Sequence, residues 1–184
     1  MLDRALVAYG APTLARLKLG SLFPVALTKG FSTELFELNC QLREKGVRLT
    51  VLRVRDGKAL VYLYRPAELE KALEDAETWR FLETCGYRER DVAAVLAHLR
   101  ERLRVSEDFP HEIGVFLGYP LADVIGFIEN EGRNCLCCGC WKVYANECEA
   151  RRAFARFRKC RMVYEKLFAS GCPLSRLTVA ARPA

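Results

Sequence analysis

Residues 47–64 read VRLTVLRVRDGKALVYLY. Val47, Leu49, Val51 and Val54 form one β-rich run, and Leu60, Tyr62 and Tyr64 form a second. Between them lies Asp56-Gly57, a dipeptide that closes two-residue hairpins because both turn positions need positive φ. A hairpin over roughly 47–54 and 58–65 follows. Upstream, Leu35, Leu38 and Leu42 keep helical spacing between Ser32 or Thr33 and Gly46. Gly20, Ser21, Pro24 and Gly30 read as interruptions. Pro12 to Lys18 reads as a short helix with Pro12 in its first turn. Downstream, Pro66 opens one long helix ending near Cys85, before Gly86. Asp91 to Arg104 makes another. Pro110 and Pro120 start two further helical segments. Trp141 to Ala145 reads as a third strand. Asn146 and Glu149 have capping-box spacing, and open a helix that reaches Ser170. Local strand pairing followed by a run of helices predicts an α+β fold, a small antiparallel sheet covered by several helices. One domain over 1–184 is expected, without repeats or linkers.

The chain carries 51% hydrophobic residues, enough for a substantial core, and no apolar run approaches the ~20 residues that span a bilayer. Met1 to Leu19 mixes apolar residues with Asp3, Arg4, Arg16 and Lys18, unlike a signal peptide. A cytoplasmic protein with reduced thiols is the expectation. The nine cysteines are an odd number and cannot all pair within one chain.

Charge is unevenly distributed. From Arg133 onward there are eleven Lys or Arg against three Glu, within a formal net charge of +6 for the whole chain. A basic C-terminal third points to an anionic partner, with a solvated helix face as the plainer reading. Arg152, Arg156 and Lys159 are the candidate anion contacts. Nucleic acid is the weaker partner, since no base-reading module accompanies these charges.

The strings His111-Glu112-Ile113-Gly114-Val115-Phe116-Leu117-Gly118-Tyr119-Pro120, Asp123-Val124-Ile125-Gly126-Phe127-Ile128 and Trp141-Lys142-Val143-Tyr144 are distinctive. With Ala11-Pro12-Thr13-Leu14-Ala15 and Leu177-Thr178-Val179-Ala180, they make the chain resemble a bacterial domain family of unknown function, found mainly in anaerobic Firmicutes. The resemblance covers nearly the whole chain. It implies a cytoplasmic bacterial protein and no transferable activity.

Three constellations carry chemistry. Cys135, Cys137, Cys138 and Cys140 contain two overlapping C-x-x-C pairs, a spacing that brings thiolates to Zn or iron. Reversible thiol exchange and ordinary reduced cysteines are the alternatives. His111, Tyr119, Lys142 and Tyr144 form the candidate ligand pocket. His111 can act as a base or ligand, or simply fix the start of its helix. His111-Glu112 is not the zinc-protease motif, because position 115 is Val. Lys142 and Tyr144 share one strand face, suited to an anion or to a wet sheet surface. Neither a phosphate loop nor a dinucleotide fingerprint nor a nucleophile elbow is present. The leading functional expectation is a thiol-rich ligand- or metal-binding protein, in iron or redox homeostasis. Beside it stand an enzyme whose pocket contains His111, Lys142 and Tyr144, and an anion-binding accessory protein using the basic helix.

Overall fold

A computed structural model describes residues 2–105 and 109–181. The chain begins with α1 (Leu2–Leu14), β1 (Gly20–Ala26) and α2 (Phe31–Arg43), then the hairpin β2 (Arg48–Arg55) and β3 (Lys58–Tyr64). α3 (Pro66–Glu74), α4 (Ala76–Thr84), α5 (Val92–Val105), α6 (Ile113–Phe116) and α7 (Leu121–Glu129) follow. A second small hairpin, β4 (Cys137–Cys138) and β5 (Lys142–Val143), precedes α8 (Glu147–Ala169) and α9 (Leu174–Leu177). The fold is α+β.

The main sheet has the order β1-β3-β2 and is antiparallel throughout. Its hairpin turns at Asp56 (φ 50°) and Gly57 (φ 69°), both left-handed as the sequence requires. A bulge between Val51 and Arg53 shifts the register of β2. The three-residue step from Val51 to Val54 is its trace in the sequence. The central strand β3 is buried on both faces, which explains its near-continuous apolar run. Ala59, Val61 and Leu63 pack with α1, α2 and α9. Tyr62 and Tyr64 pack against the core of α3 to α7 on the other face.

Four sequence expectations change. Residues 20–26 form a full strand, because β1 lies at the sheet edge, where Pro24 and its missing N–H are tolerated. Gly20 there is a packing requirement: a Cβ would lie 2.6 Å from the Tyr62 ring and 2.7 Å from Phe116 O. The first helix runs from Leu2 to Leu14, so Pro12 falls in its last turn. The long helix after Pro66 is two helices. Asp75 is extended (ψ 124°), and its side chain caps α4 by accepting from Thr78 N. The segment at Trp141 contributes two strand residues, and these pair with the cysteine segment instead of joining the main sheet.

Arg65 fixes how these pieces meet. Its side chain is buried at 2% exposure, with no carboxylate paired to it among the described residues. Nε donates to Thr13 O and Nη2 to Leu14 O, both at 2.8 Å. Nη2 also donates to Val179 O at 2.7 Å, and Nη1 to Lys45 O at 3.3 Å. Thr13 and Leu14 close α1, so the guanidinium meets carbonyls that the helix leaves unpaired and the negative end of its dipole.

Candidate functional site

The distinctive strings converge at one end of the fold. Asp123, in the first turn of α7 and 3% exposed, joins them. Its Oδ2 accepts from Trp141 Nε1 at 2.7 Å. Its Oδ1 accepts from Tyr144 N at 2.7 Å and from Ala145 N at 3.0 Å. One carboxylate therefore orients the indole and ends the second hairpin. Gly126, one turn further along α7, permits the contact: a Cβ there would stand 2.5 Å from Tyr144 Cβ.

Aromatic rings extend from this node. Trp141 stacks on Tyr119, with centroids 4.9 Å apart, and meets Phe154 of α8 edge-on at 4.5 Å. The Tyr119 hydroxyl donates to Cys140 O at 3.2 Å. Burial, with Cys140 adding, pushes the Tyr119 phenol up to about 12, so it remains a donor in neutral solution. The His111 ring lies edge-on to Phe127 at 4.9 Å. Lys142 Nζ donates to Gly132 O at 2.7 Å and stands 5.8 Å from the Phe127 centroid, a cation–π distance.

These side chains border an open cavity of about 260 Å³, lined among others by His111, Tyr119, Asp123, Phe127, Trp141 and Lys142. Three of the four pocket residues expected from sequence thus meet at one cavity. Tyr144 does not line it. Its backbone is held by Asp123, and its hydroxyl is buried without a hydrogen-bond partner among the described residues. His111 lies in the turn before α6 and is exposed, whereas its neighbour Glu112 is buried and ion-paired to Arg102 of α5. The two side chains therefore serve different places.

Cys137 and Cys138 are adjacent strand residues in β4, and the pleat sends adjacent side chains to opposite faces. Cys138 reaches the cavity. Cys135 and Cys137 are half-buried, and Cys140 is exposed. Among the described residues no three His, Cys, Asp or Glu side chains form a group able to hold a metal ion. The basic residues stand apart from the cavity. Arg152, Arg156 and Lys159 are exposed on α8, where the ion pair among described residues is Arg151 with Glu147.

Sequence reasoning missed Asp123, Phe127 and Lys18 as parts of this site. An acid within the apolar stripe of α7 is the signal for Asp123. Lys18 has none, because a loop brings it to the Tyr119 ring, 5.1 Å from Nζ to centroid. Burial lowers the Lys18 amine to about 8; Cys140 opposes that shift and Arg161 adds to it. Its ordinary value is 10.5, so between those pH values the unfolded chain binds more protons and stability rises with pH. Lys18→Met is therefore expected to stabilise the protein by about 1 kcal/mol below the folded value. Urea midpoints should show the gain fade as pH climbs from 8 to 10.5. A gain that is constant across the range would contradict a cation desolvated in the folded state.

Residues 6–178 match the family described as a protein of unknown function, DUF3793. The chain belongs to this family. No curated protein and no solved structure matches the DUF3793 chain. Among its described residues no helix is long and apolar enough to cross a membrane.

Proposed function

We propose that this protein binds a small organic anion with a flat apolar body in the cavity between α6, α7 and the second hairpin. The observation that carries the reading is Lys142. Its ammonium is positioned at the cavity by Gly132 O and the Phe127 ring, with no ion pair among the described residues. Asp123, which also lines the cavity, makes no ion pair with it; its carboxylate oxygens are turned to the Trp141 indole and to the Tyr144 and Ala145 N–H groups. Phe127, Tyr119 and Trp141 supply flat walls, and His111 adds a polar group at the rim. The cavity is smaller than the ~300–1,000 Å³ of drug-sized sites, which suits a single-ring carboxylate.

Benzoate and its neutral isostere benzamide test this. Benzoate is expected to shift the Trp141 indole N–H resonance, with benzamide at least about tenfold weaker. Lys142→Gln should bring the two affinities together. A Trp141 resonance indifferent to both compounds, or equal affinities in the wild type, would defeat the proposal.

A further inference from the structure

The outward face of α8 does not resemble a merely solvated surface. Phe154, Phe157, Tyr164 and Phe168 turn inward, where α8 packs along α1 and the second hairpin. On the opposite side, Ala155, Arg158, Lys159, Met162, Val163 and Lys166 line one shallow depression. Their spacing of three and four residues places them on a single stripe of the helix. Met162 is 57% exposed and Val163 45%. Arg158, Lys159 and Lys166 have no ion pair among the described residues. The acids of α8 stand elsewhere: Glu147 pairs with Arg151, Glu149 lies in the first turn, and Glu165 lines a different depression, which Arg4 of α1 also borders.

We infer that this face of α8 docks on an anionic lipid surface, reversibly and without spanning it. Two properties must be met together, unpaired cations and exposed apolar side chains interleaved with them. A nucleic acid would satisfy the cations, but sequence-tolerant binding also uses aromatic platforms, and the aromatic rings of α8 are on its inner side. An acidic amphipathic helix needs a groove with walls, yet every residue of this depression comes from one helix. A bilayer interface accepts a convex helix: phosphate groups meet Arg158, Lys159 and Lys166, while Met162 and Val163 enter the boundary with the acyl chains.

Flotation of the full chain with vesicles decides it. Binding is expected to vesicles of phosphatidylcholine mixed with phosphatidylglycerol, to be weak with phosphatidylcholine alone, and to fall steeply with added salt. Met162→Ser with Val163→Ser leaves the charge unchanged and should weaken binding at least about fivefold, since burial of apolar surface is lost. Arg158→Gln, Lys159→Gln and Lys166→Gln together should abolish it. Circular dichroism verifies that these surface variants remain folded. Equal binding by the Met162/Val163 variant, or no binding to the mixed vesicles, would overturn the inference. It would also be overturned by tight binding of a single-stranded RNA oligomer that survives the Met162/Val163 change. A dimer in sedimentation velocity that this change dissociates would assign the face to a second copy and overturn it equally.

Discussion

Asp123→Ala is expected to destabilise the protein by about 3 kcal/mol and to dismantle the cavity before the main sheet unfolds. Removing a buried charged acceptor costs more than breaking a surface bond, on the order of 1–3 kcal/mol for each donor left unpaired. Here three donors depend on the one carboxylate: the Trp141 indole N–H and the backbone N–H groups of Tyr144 and Ala145. Some of them will find water once the hairpin loosens, which keeps the total below the sum. Asp123→Asn is almost isosteric, but its amide group must face a donor on one side, so it should recover only part of the loss. Urea midpoints give the magnitude, and Trp141 fluorescence should report an earlier transition than far-ultraviolet dichroism. A loss below about 1 kcal/mol for Asp123→Ala, with Trp141 unmoved, would show that the aromatic stack alone holds the hairpin.

Arg65→Met is expected to cost still more, about 4 kcal/mol. The substitution preserves much of the volume and removes every donor. Carbonyls of Thr13, Leu14, Lys45 and Val179 then lose their common partner. Arg65→Lys retains a charge but replaces a planar fork with donors on a single nitrogen, which cannot reach four oxygens spread over three segments. It should recover less than half of the stability. Amide exchange adds a regional readout. Val179 N bonds to Leu14 O and Ala181 N to Lys45 O, so protection of both should fall together in Arg65→Met. If the loss is small and these amides stay protected, the tail is held by its apolar contacts at Leu174 and Leu177 instead.

What was legible in the sequence was local. Asp56-Gly57 dictated its own backbone, and Asn146 capped α8 by accepting from Glu149 N, as their spacing implied. β1 was illegible because a Pro signals a break unless the strand is known to lie at an edge, and edge position is a property of the finished sheet. The break at Asp75 was written in the sequence, since Asp is a strong cap, but the apolar spacing of α3 continues smoothly into α4 and outweighs it. His111, Tyr119 and Lys142 were recognisable by residue chemistry, and their meeting at one cavity needed the fold. Tyr144 failed as a cavity residue because β5 stops at Val143, so strand alternation no longer governs the residue beyond it. The C-x-x-C spacing suggested that Cys135 with Cys138, or Cys137 with Cys140, would help to form a metal shell, whereas among the described residues no three metal-ligating side chains group together.

The Arg65–Val179 contact also sets a schedule for synthesis. Its partners lie 114 residues apart, so at ribosomal rates of about 5–20 residues per second the second emerges roughly 6–23 s after the first. During that interval the guanidinium has part of its final partner set, and α1 lacks α8, with which it packs extensively in the finished fold. Leu2, Leu6 and Val7, buried in the completed core, gain part of their cover early from β1, β3 and α2 and the rest only with the C-terminal helices. The hairpin of β2 and β3 can close early from neighbouring residues, whereas the layer containing α1 is completed only when α8 packs on it. A nascent chain paused before α8 therefore carries α1 with one side uncovered, and the docking of α8 along it comes late in folding.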